Sequence, residues 1–335
     1  MDDLEEATYD WIIQQLFDGK IYTSLPDYLR KSWVRYCYHY SALENIVSIL
    51  NAGVLYSRNQ SSKLEIMLND NASNDVISNT DGWIKDYVRF YFRPKTPTQF
   101  NNEGFRSNDT MTKYHAHCPF PVFLLFDFKS ILNLSNCYFT SSSLANRLVH
   151  DLLSTPEEFL ELPFSKIYHV GSFPSEIRDE IVSSRQAEII VPDHLKIDGL
   201  IKKILVRSSA EKRTLLALLD SKATHKYSDL IQIDSKKTVF LGRWMYIEDV
   251  ILSYDSIVIK SNCGEQPTKF KIDVLVKDFD NNIEQTYSND EWLCNPEFIL
   301  GIGTPTHNYS VRISLNEHLA FFDKYNHSEN ANMPF

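Results

Sequence analysis

Apolar and polar positions recur with two different periods along this chain, and the change of period divides it. Near the start, "YDWIIQQLFDG" spaces Trp11, Ile12, Leu16 and Phe17 as a helix does, with Gly19 as its stop. "VRYCYHYS" then reads as a strand rich in aromatic residues. In "SALENIVSILNAGVLYS", Ser41 and Glu44 have the form of a capping box, and Leu43, Ile46, Val47 and Leu50 line one helical face. Gly53 closes that helix, and Val54–Leu55–Tyr56 starts an extended segment. Residues 57–82 hold five Asn and five Ser, so a long loop is expected, with a helical turn around Leu64 to Leu68.

Strict alternation returns in "WIKDYVRFYFRPKTPTQF", which sets Tyr87, Arg89, Tyr91 and Arg93 against Val88, Phe90 and Phe92. A solvated edge strand would carry Lys, Glu or Thr there. Arginine interleaved with tyrosine suits a surface for phosphates and stacking rings. "CPFPVFLLFDF" reads as a buried strand, "SNCYFTSS" as a shorter one, "SLANRLVHDLLS" as helical, "IKKILVRSS" as a strand and "SAEKRTLLALLD" as a capped helix. Beyond residue 223 the period is two, between turns such as Asp280-Asn281-Asn282, which predicts a small sandwich or barrel. The expected organisation is a helical segment over 1–30, a mixed α+β domain over 31–222, a β-rich domain over 223–328 and a flexible tail over 329–335.

Composition adds limits. At 335 residues the chain is long enough for two domains of about 150 residues each, and 43% hydrophobic with 23% charged residues is ordinary for a globular protein. No apolar run reaches the roughly 18 residues of a membrane span, and "MDDLEEATYD" lacks the basic-then-apolar pattern of a secretion signal. Five dispersed cysteines, Cys37, Cys118, Cys137, Cys263 and Cys294, fit reduced thiols and a cytoplasmic location. The net charge of −10 argues against a protein that coats nucleic acid non-specifically. Lys+Arg number 24 against 28 Asp+Glu up to residue 222, and 10 against 16 after it, so a nucleic-acid site belongs in the first part.

Several chemistries lack their motifs: there is no Gly-rich phosphate loop, no paired C-x-x-C and no G-x-S-x-G. "YHAHC" (His115, His117, Cys118) offers metal-ligand types without further ligands at matching spacing, so no metal is expected. Glu188 in "SSRQAEIIVP" is more pointed, because it stands at the mouth of the apolar strand Ile189-Ile190-Val191. A buried carboxylate is costly unless a neighbour such as Arg185 neutralises it or it serves a reaction. His39 and Tyr91, on two other strand patterns, complete a candidate trio with it.

The words around this trio carry a resemblance. "YHYSALENIVSILNAGVLYS", "DYVRFYFRPKTPTQF", "CYFTSSSLA" and "RQAEIIVP" resemble, in that order, the signature blocks of the DarT family, nucleic-acid base ADP-ribosyltransferase toxins of bacterial toxin–antitoxin and phage-defence systems. The resemblance covers roughly residues 33 to 220. It implies an ADP-ribosyltransferase-type split β-sheet with flanking helices, NAD as co-substrate and no metal. Glu188 would stabilise the positive charge that develops on the ribose, bond a ribose hydroxyl and accept the attacking base's proton. His39, Tyr40, Ser41, Ser48, Tyr56 and Tyr91 fall where NAD contacts are implied, Tyr91 stacking on the nicotinamide. The segment between Thr140 and Glu188, with Ser141, Ser142, Ser143, Asn146, Arg147 and Arg178, would meet the nucleic acid.

The sequence departs from the family in one respect. Thymidine-modifying relatives carry an arginine upstream of the "DYV" block, yet residues 59–85 hold none, and Arg89 stands where relatives often have proline. Arg89 or Arg93 is therefore the candidate to clamp the NAD diphosphate or to place the base. The leading expectation is ADP-ribosylation of a base in single-stranded DNA, which is most accessible unpaired, with an antitoxin partner. RNA as acceptor is the second reading; a protein acceptor or a non-catalytic sensor follows.

Overall fold

The computed structural model describes residues 7–65, 81–107, 117–144, 152–265 and 268–327. In chain order the first strands are β1 (Tyr36–Ala42), β2 (Val54–Tyr56), β3 (Tyr87–Tyr91), β4 (Pro121–Asp127), β5 (Tyr138–Phe139), β6 (Glu188–Pro192), β7 (His194–Lys196), β8 (Ile201–Val206) and β9 (Ile231–Ile233). Seven of them form one sheet in the order β5-β6-β3-β1-β4-β8-β9, while β2 and β7 make a separate ladder. The run "PVFLLFD" is apolar throughout because β4 is a central strand covered on both faces, with residues 121–126 all buried.

The large sheet is split. β1 pairs with β4 over its whole length, from Tyr36↔Asp127 to Ala42↔Pro121. With β3 it shares one registered pair, Tyr38↔Tyr91. Beyond that pair the two strands diverge, and the His39 imidazole bonds the Arg89 carbonyl across the gap at 3.2 Å. The α+β expectation, with a split sheet followed by a β-rich unit, holds.

Helices cover the sheet as their apolar stripes require. The helix Leu43–Ala52 buries Leu43, Ile46 and Leu50, and ends on Gly53 in the left-handed region (φ 69), whose N–H donates to Ile49 O. Ser41 does not cap this helix: it is still paired in β1, the N-cap is Ala42, and Ser41 Oγ accepts from Asn45 Nδ2 at 3.1 Å. The helix Tyr9–Asp18 packs through Ile12, Ile13 and Leu16, whereas Trp11 turns outward; a stripe centred on Ile12 and Leu16 takes in Ile13 instead. Tyr9 joins it to the core, donating to Ser154 O at 2.6 Å and meeting the rings of Phe139 and Phe159 edge-on. All five cysteines are free.

The large sheet extends past residue 222, since β9 adds in parallel to β8. A strap over residues 234–245 then leads to β10 (Tyr246–Leu252), β11 (Ser256–Asn262), β12 (Lys269–Asp278), β13 (Ile283–Leu293), β14 (Glu297–Gly301), β15 (Asn308–Leu315) and β16 (His318–Asn326). These form two sheets, β10-β11-β14 and β13-β12-β15-β16, around one apolar cluster that includes Ile257, Ile272, Val311 and Phe321. The helix Ser209–Leu218 fastens them to the large sheet. Ser208 Oγ donates to Ile247 O at 2.6 Å, and Arg213 reaches Asp323 at 2.6 Å and Val250 O at 2.5 Å. Beneath it the Arg207 guanidinium and the Glu211 carboxylate form an ion pair that is almost fully buried. Close approach is also written into Gly104 (φ 87), where a Cβ would lie 2.7 Å from Trp244 Cβ.

Candidate active site

The alternation in β3 is realised: Val88, Phe90 and Phe92 enter the core, while Tyr87, Arg89 and Tyr91 are half-buried on the other face. β6 lies beside β3 with Arg89↔Ile190 and Tyr91↔Glu188 in register, so Arg89, Tyr91 and Glu188 share that face. Glu188 is 1% exposed. Its counter-charge is Arg89, not Arg185. Arg89 Nε donates to Glu188 Oε2 and Arg89 Nη2 to Oε1, each at 2.5 Å. Burial works against the Arg89 cation, but the adjacent carboxylate raises its pKa above the ordinary arginine value. Arg185 instead meets His169 Nδ1 at 2.7 Å and Gly171 O at 3.1 Å.

The other groups fall on two sides of β1. Tyr40 shares Tyr38's face and donates its hydroxyl proton to Asn102 Oδ1 at 2.9 Å. His39 and Ser41 alternate to the opposite side, and His39 is joined to β3 through the Arg89 backbone carbonyl. Burial lowers the His39 imidazole to about 4, so it is neutral near pH 7; its Nδ1 proton goes to the Arg89 carbonyl, which leaves Nε2 as a hydrogen-bond acceptor. Burial and then the Glu188 charge raise the Tyr91 phenol, which stays protonated. Ser48 is half-buried within the helix Leu43–Ala52, and Tyr56 ends β2 with its ring 6.0 Å from His194; neither shares a hydrogen bond with Glu188, Arg89 or His39.

Arg93 corrects the expectation that it clamps a ligand. It is 3% exposed, its Nε donates to Pro94 O at 3.0 Å, its Nη1 donates to the carbonyls of Ile167 and His169, and it lies over the Trp33 ring at 4.9 Å. Burial, with Arg185's charge nearby, pushes its pKa down. The chain leaves β3 at Tyr91, so the period of two no longer decides where residue 93 points. Replacing Arg93 by Met is expected to destabilise the fold by about 1–3 kcal/mol, through carbonyls left without donors, while KM for NAD stays unchanged. Thermal denaturation and NAD titration check this.

Just after β5, Thr140 is tied to the glutamate's backbone. Its N–H donates to Glu188 O at 2.9 Å, and its Oγ1 accepts from Glu188 N–H at 3.2 Å. Ser141 is exposed, Ser142 half-buried and Ser143 buried, with Ser143 N–H donating to Ser183 O. Arg178 is exposed at the start of the helix Arg178–Ser184. Asn146 and Arg147 lie outside the described residues, as do His115 and the tail 329–335.

Two residues of this neighbourhood were missed from sequence. Thr98 Oγ1 donates to Gln186 Oε1 at 3.0 Å. Their signal was present, Gln186 two residues before Glu188 and Thr98 in "KTPTQF", but nothing in the linear order joins them.

A model of the family described as "ssDNA thymidine ADP-ribosyltransferase, DarT" matches residues 38–240. The chain belongs to the DarT family. It is an NAD-dependent ADP-ribosyltransferase of single-stranded DNA bases, with NAD as co-substrate. Among solved structures, Thermus sp. 2.9 DarT in complex with ADP-ribosylated ssDNA is 20% identical, with 60% of this chain and 95% of that one covered at a TM-score of 0.47. The same Thermus protein with carba-NAD+ gives 20%, 60%, 96% and 0.46. Thermosipho africanus DarTG in complex with ADP-ribose is 15% identical, covering 65% of this chain and 53% of that one, at 0.47. Similarity at this level transfers no individual contact. No curated protein matches. Among the described residues, no helix is long and apolar enough to cross a membrane, and no group of three His, Cys, Asp or Glu could hold a metal.

Proposed function

We propose that Glu188 is the catalytic carboxylate of this DarT protein and that Arg89 is its partner in the reaction. The observation that carries this reading is the two-bond Arg89–Glu188 pair, buried at the head of β6 in register with Tyr91. Each carboxylate oxygen gives one lone pair to Arg89 and keeps another for a ribose hydroxyl or for the charge that develops on the sugar. Bound NAD supplies a ribosyl carbon that already carries a cationic leaving group. The pair sits beside the split between β1 and β3, where the neutral His39 offers Nε2 to a ribose hydroxyl, Ser41 stands at the start of the helix Leu43–Ala52, and the Tyr91 ring is available for stacking.

The remaining donors of Arg89 suit a base carbonyl or a phosphate, since its side chain is one-third exposed. Ser141 and Ser142, which follow Thr140, and the exposed Arg178 are assigned to the nucleic acid. The biological reading is a toxin restrained by an antitoxin partner, supported by family membership and by the relative named DarTG. The test incubates the protein with NAD and matched single-stranded DNA and RNA oligonucleotides of all four bases, and reads intact mass. One ADP-ribose added to DNA is expected. A gain on RNA alone would reassign the acceptor, and nicotinamide release without any gain would move it to protein.

A further inference from the structure

Two of the five cysteines meet in the C-terminal sheets. The ladder between β11 and β14 runs from Ser256↔Gly301 to Lys260↔Glu297, and Ser261 N–H carries the same register one step further, donating to Pro296 O at 2.9 Å. Two residues beyond that bond, the register sets Cys263 opposite Cys294. An antiparallel pair opposed in this way has its Cα atoms about 4.5–5.5 Å apart, a spacing that a disulfide spans. Cys294 belongs to the apolar cluster between the two sheets, and Cys263 packs against it. Burial first, and then the Cys263 thiol beside it, push the Cys294 pKa up. Exposure divides the two: Cys294 is buried, while Cys263 alone of the five cysteines is half-buried. They are anchored to different neighbours. Cys294 N–H donates to Thr268 O at 3.1 Å, beside the paired strands β12 and β13. Cys263 leads into Gly264 and Glu265, which lie on the strap. Glu265 N–H donates to Arg243 O at 3.1 Å, and a Cβ on Gly264 (φ 77) would come within 2.9 Å of that carbonyl. Residues 239–242 of the same strap satisfy the buried Gln99 and Glu103.

We infer that Cys263 and Cys294 are an oxidation site, a dithiol that a small disulfide such as oxidised glutathione converts to a disulfide, stapling the C-terminal sheets together where the strap rests on them. The thiolate is the nucleophile, so solvent access and proton affinity set the order of events. The Cys263 thiol loses its proton to solvent and its sulfur attacks one sulfur of the small disulfide. The first thiolate leaves with the electron pair of the broken S–S bond. Cys294 then loses its proton, attacks the Cys263 sulfur of the mixed disulfide and releases the second thiolate. The protein gives up two electrons and two protons, and the oxidant becomes two thiols. Closure encloses β12 and β13 in one covalent loop, which restricts the unfolded chain and holds the loop 263–265 against the hairpin. This chemistry needs neither NAD nor Glu188.

The experiment takes the full chain, reduces it, incubates it with oxidised glutathione, and reads intact mass, the linked peptides and thermal unfolding. The wild type is expected to lose two hydrogen masses and to yield a peptide linked through Cys263 and Cys294. It should also unfold roughly 5–10 °C above its reduced form, and dithiothreitol should reverse all three changes. Cys294→Ser should stop at one glutathione on Cys263, and Cys263→Ser should form neither adduct nor link. Cys37 and Cys137 are the other neighbouring thiols, both buried, and a bond mapped to them instead overturns the inference. So does a mixed disulfide that persists in the wild type, or a linked protein that melts no higher than the reduced one. Mapping the wild type needs no variant, so a serine variant that fails to fold leaves the test intact.

Discussion

Glu188→Gln should lower ADP-ribosyl transfer by about 10²–10³-fold, the usual cost of removing one preplaced electrostatic contact at a developing charge. The substitution keeps the size of the side chain and one acceptor oxygen for Arg89, but the amide's NH2 group now faces a guanidinium that has only donors. NAD affinity should change little, because the lost interaction matters most as charge develops. Single-turnover rates and equilibrium NAD binding, measured on the same preparation, separate the two. A loss confined to binding would sink the assignment, since Glu188 would then be holding substrate without acting on it.

The largest effect on stability is expected at the join between the two halves. Glu211→Ala leaves the Arg207 guanidinium, 2% exposed, without its carboxylate, and should destabilise the fold by about 3–5 kcal/mol. Arg207 has one other acceptor there, Pro119 O at 2.7 Å, and a ring, Tyr246, 4.8 Å from its guanidinium, and neither carries a countercharge. Replacing both partners together, Arg207→Met with Glu211→Leu, should return most of that stability, because it removes the buried charges instead of orphaning one. Denaturant unfolding of the single and double variants decides the point. Equal losses in both would mean that the site is held by packing and not by the pair.

What could be read in the sequence depended on whether a signal was local. The period-two pattern of β3 placed Val88, Phe90 and Phe92 inside and Arg89 and Tyr91 on the other face, since one strand's alternation is a property of consecutive residues. It failed at Arg93, two residues past the end of β3, where the backbone had already turned. The capping box at Ser41 failed for a related reason: the strand ladder to β4 runs through Ala42 and claims the residue first. Glu188 stood out as a carboxylate at the mouth of an apolar strand, but its partner was sought four residues away, at Arg185, and proved to be Arg89 on the neighbouring strand. Strand pairing is not written in linear order. The same limit hid Thr98 and Gln186, 88 residues apart in the chain and joined by one hydroxyl.

The strap also bears on how the chain is made. Val239 and Phe240 pack with Tyr38, Phe123 and Leu125 under the half-buried Tyr91, and Glu103 and Gln99 are satisfied by the backbone of residues 239–242. During synthesis Glu188 leaves the ribosome about fifty residues ahead of that strap, an interval of roughly 3–10 s at 5–20 residues per second. Until then the cluster beneath Tyr91 lacks the side chains of Val239 and Phe240, and the Glu103 carboxylate has Gln99 but not the N–H groups of Leu241 and Gly242. A ribosome-bound fragment therefore carries every residue of the Arg89–Glu188 pair before it carries the support that completes their surroundings. This order of emergence predicts that transferase activity appears only once the chain is nearly three-quarters made, which activity measured on stalled nascent chains of increasing length would check.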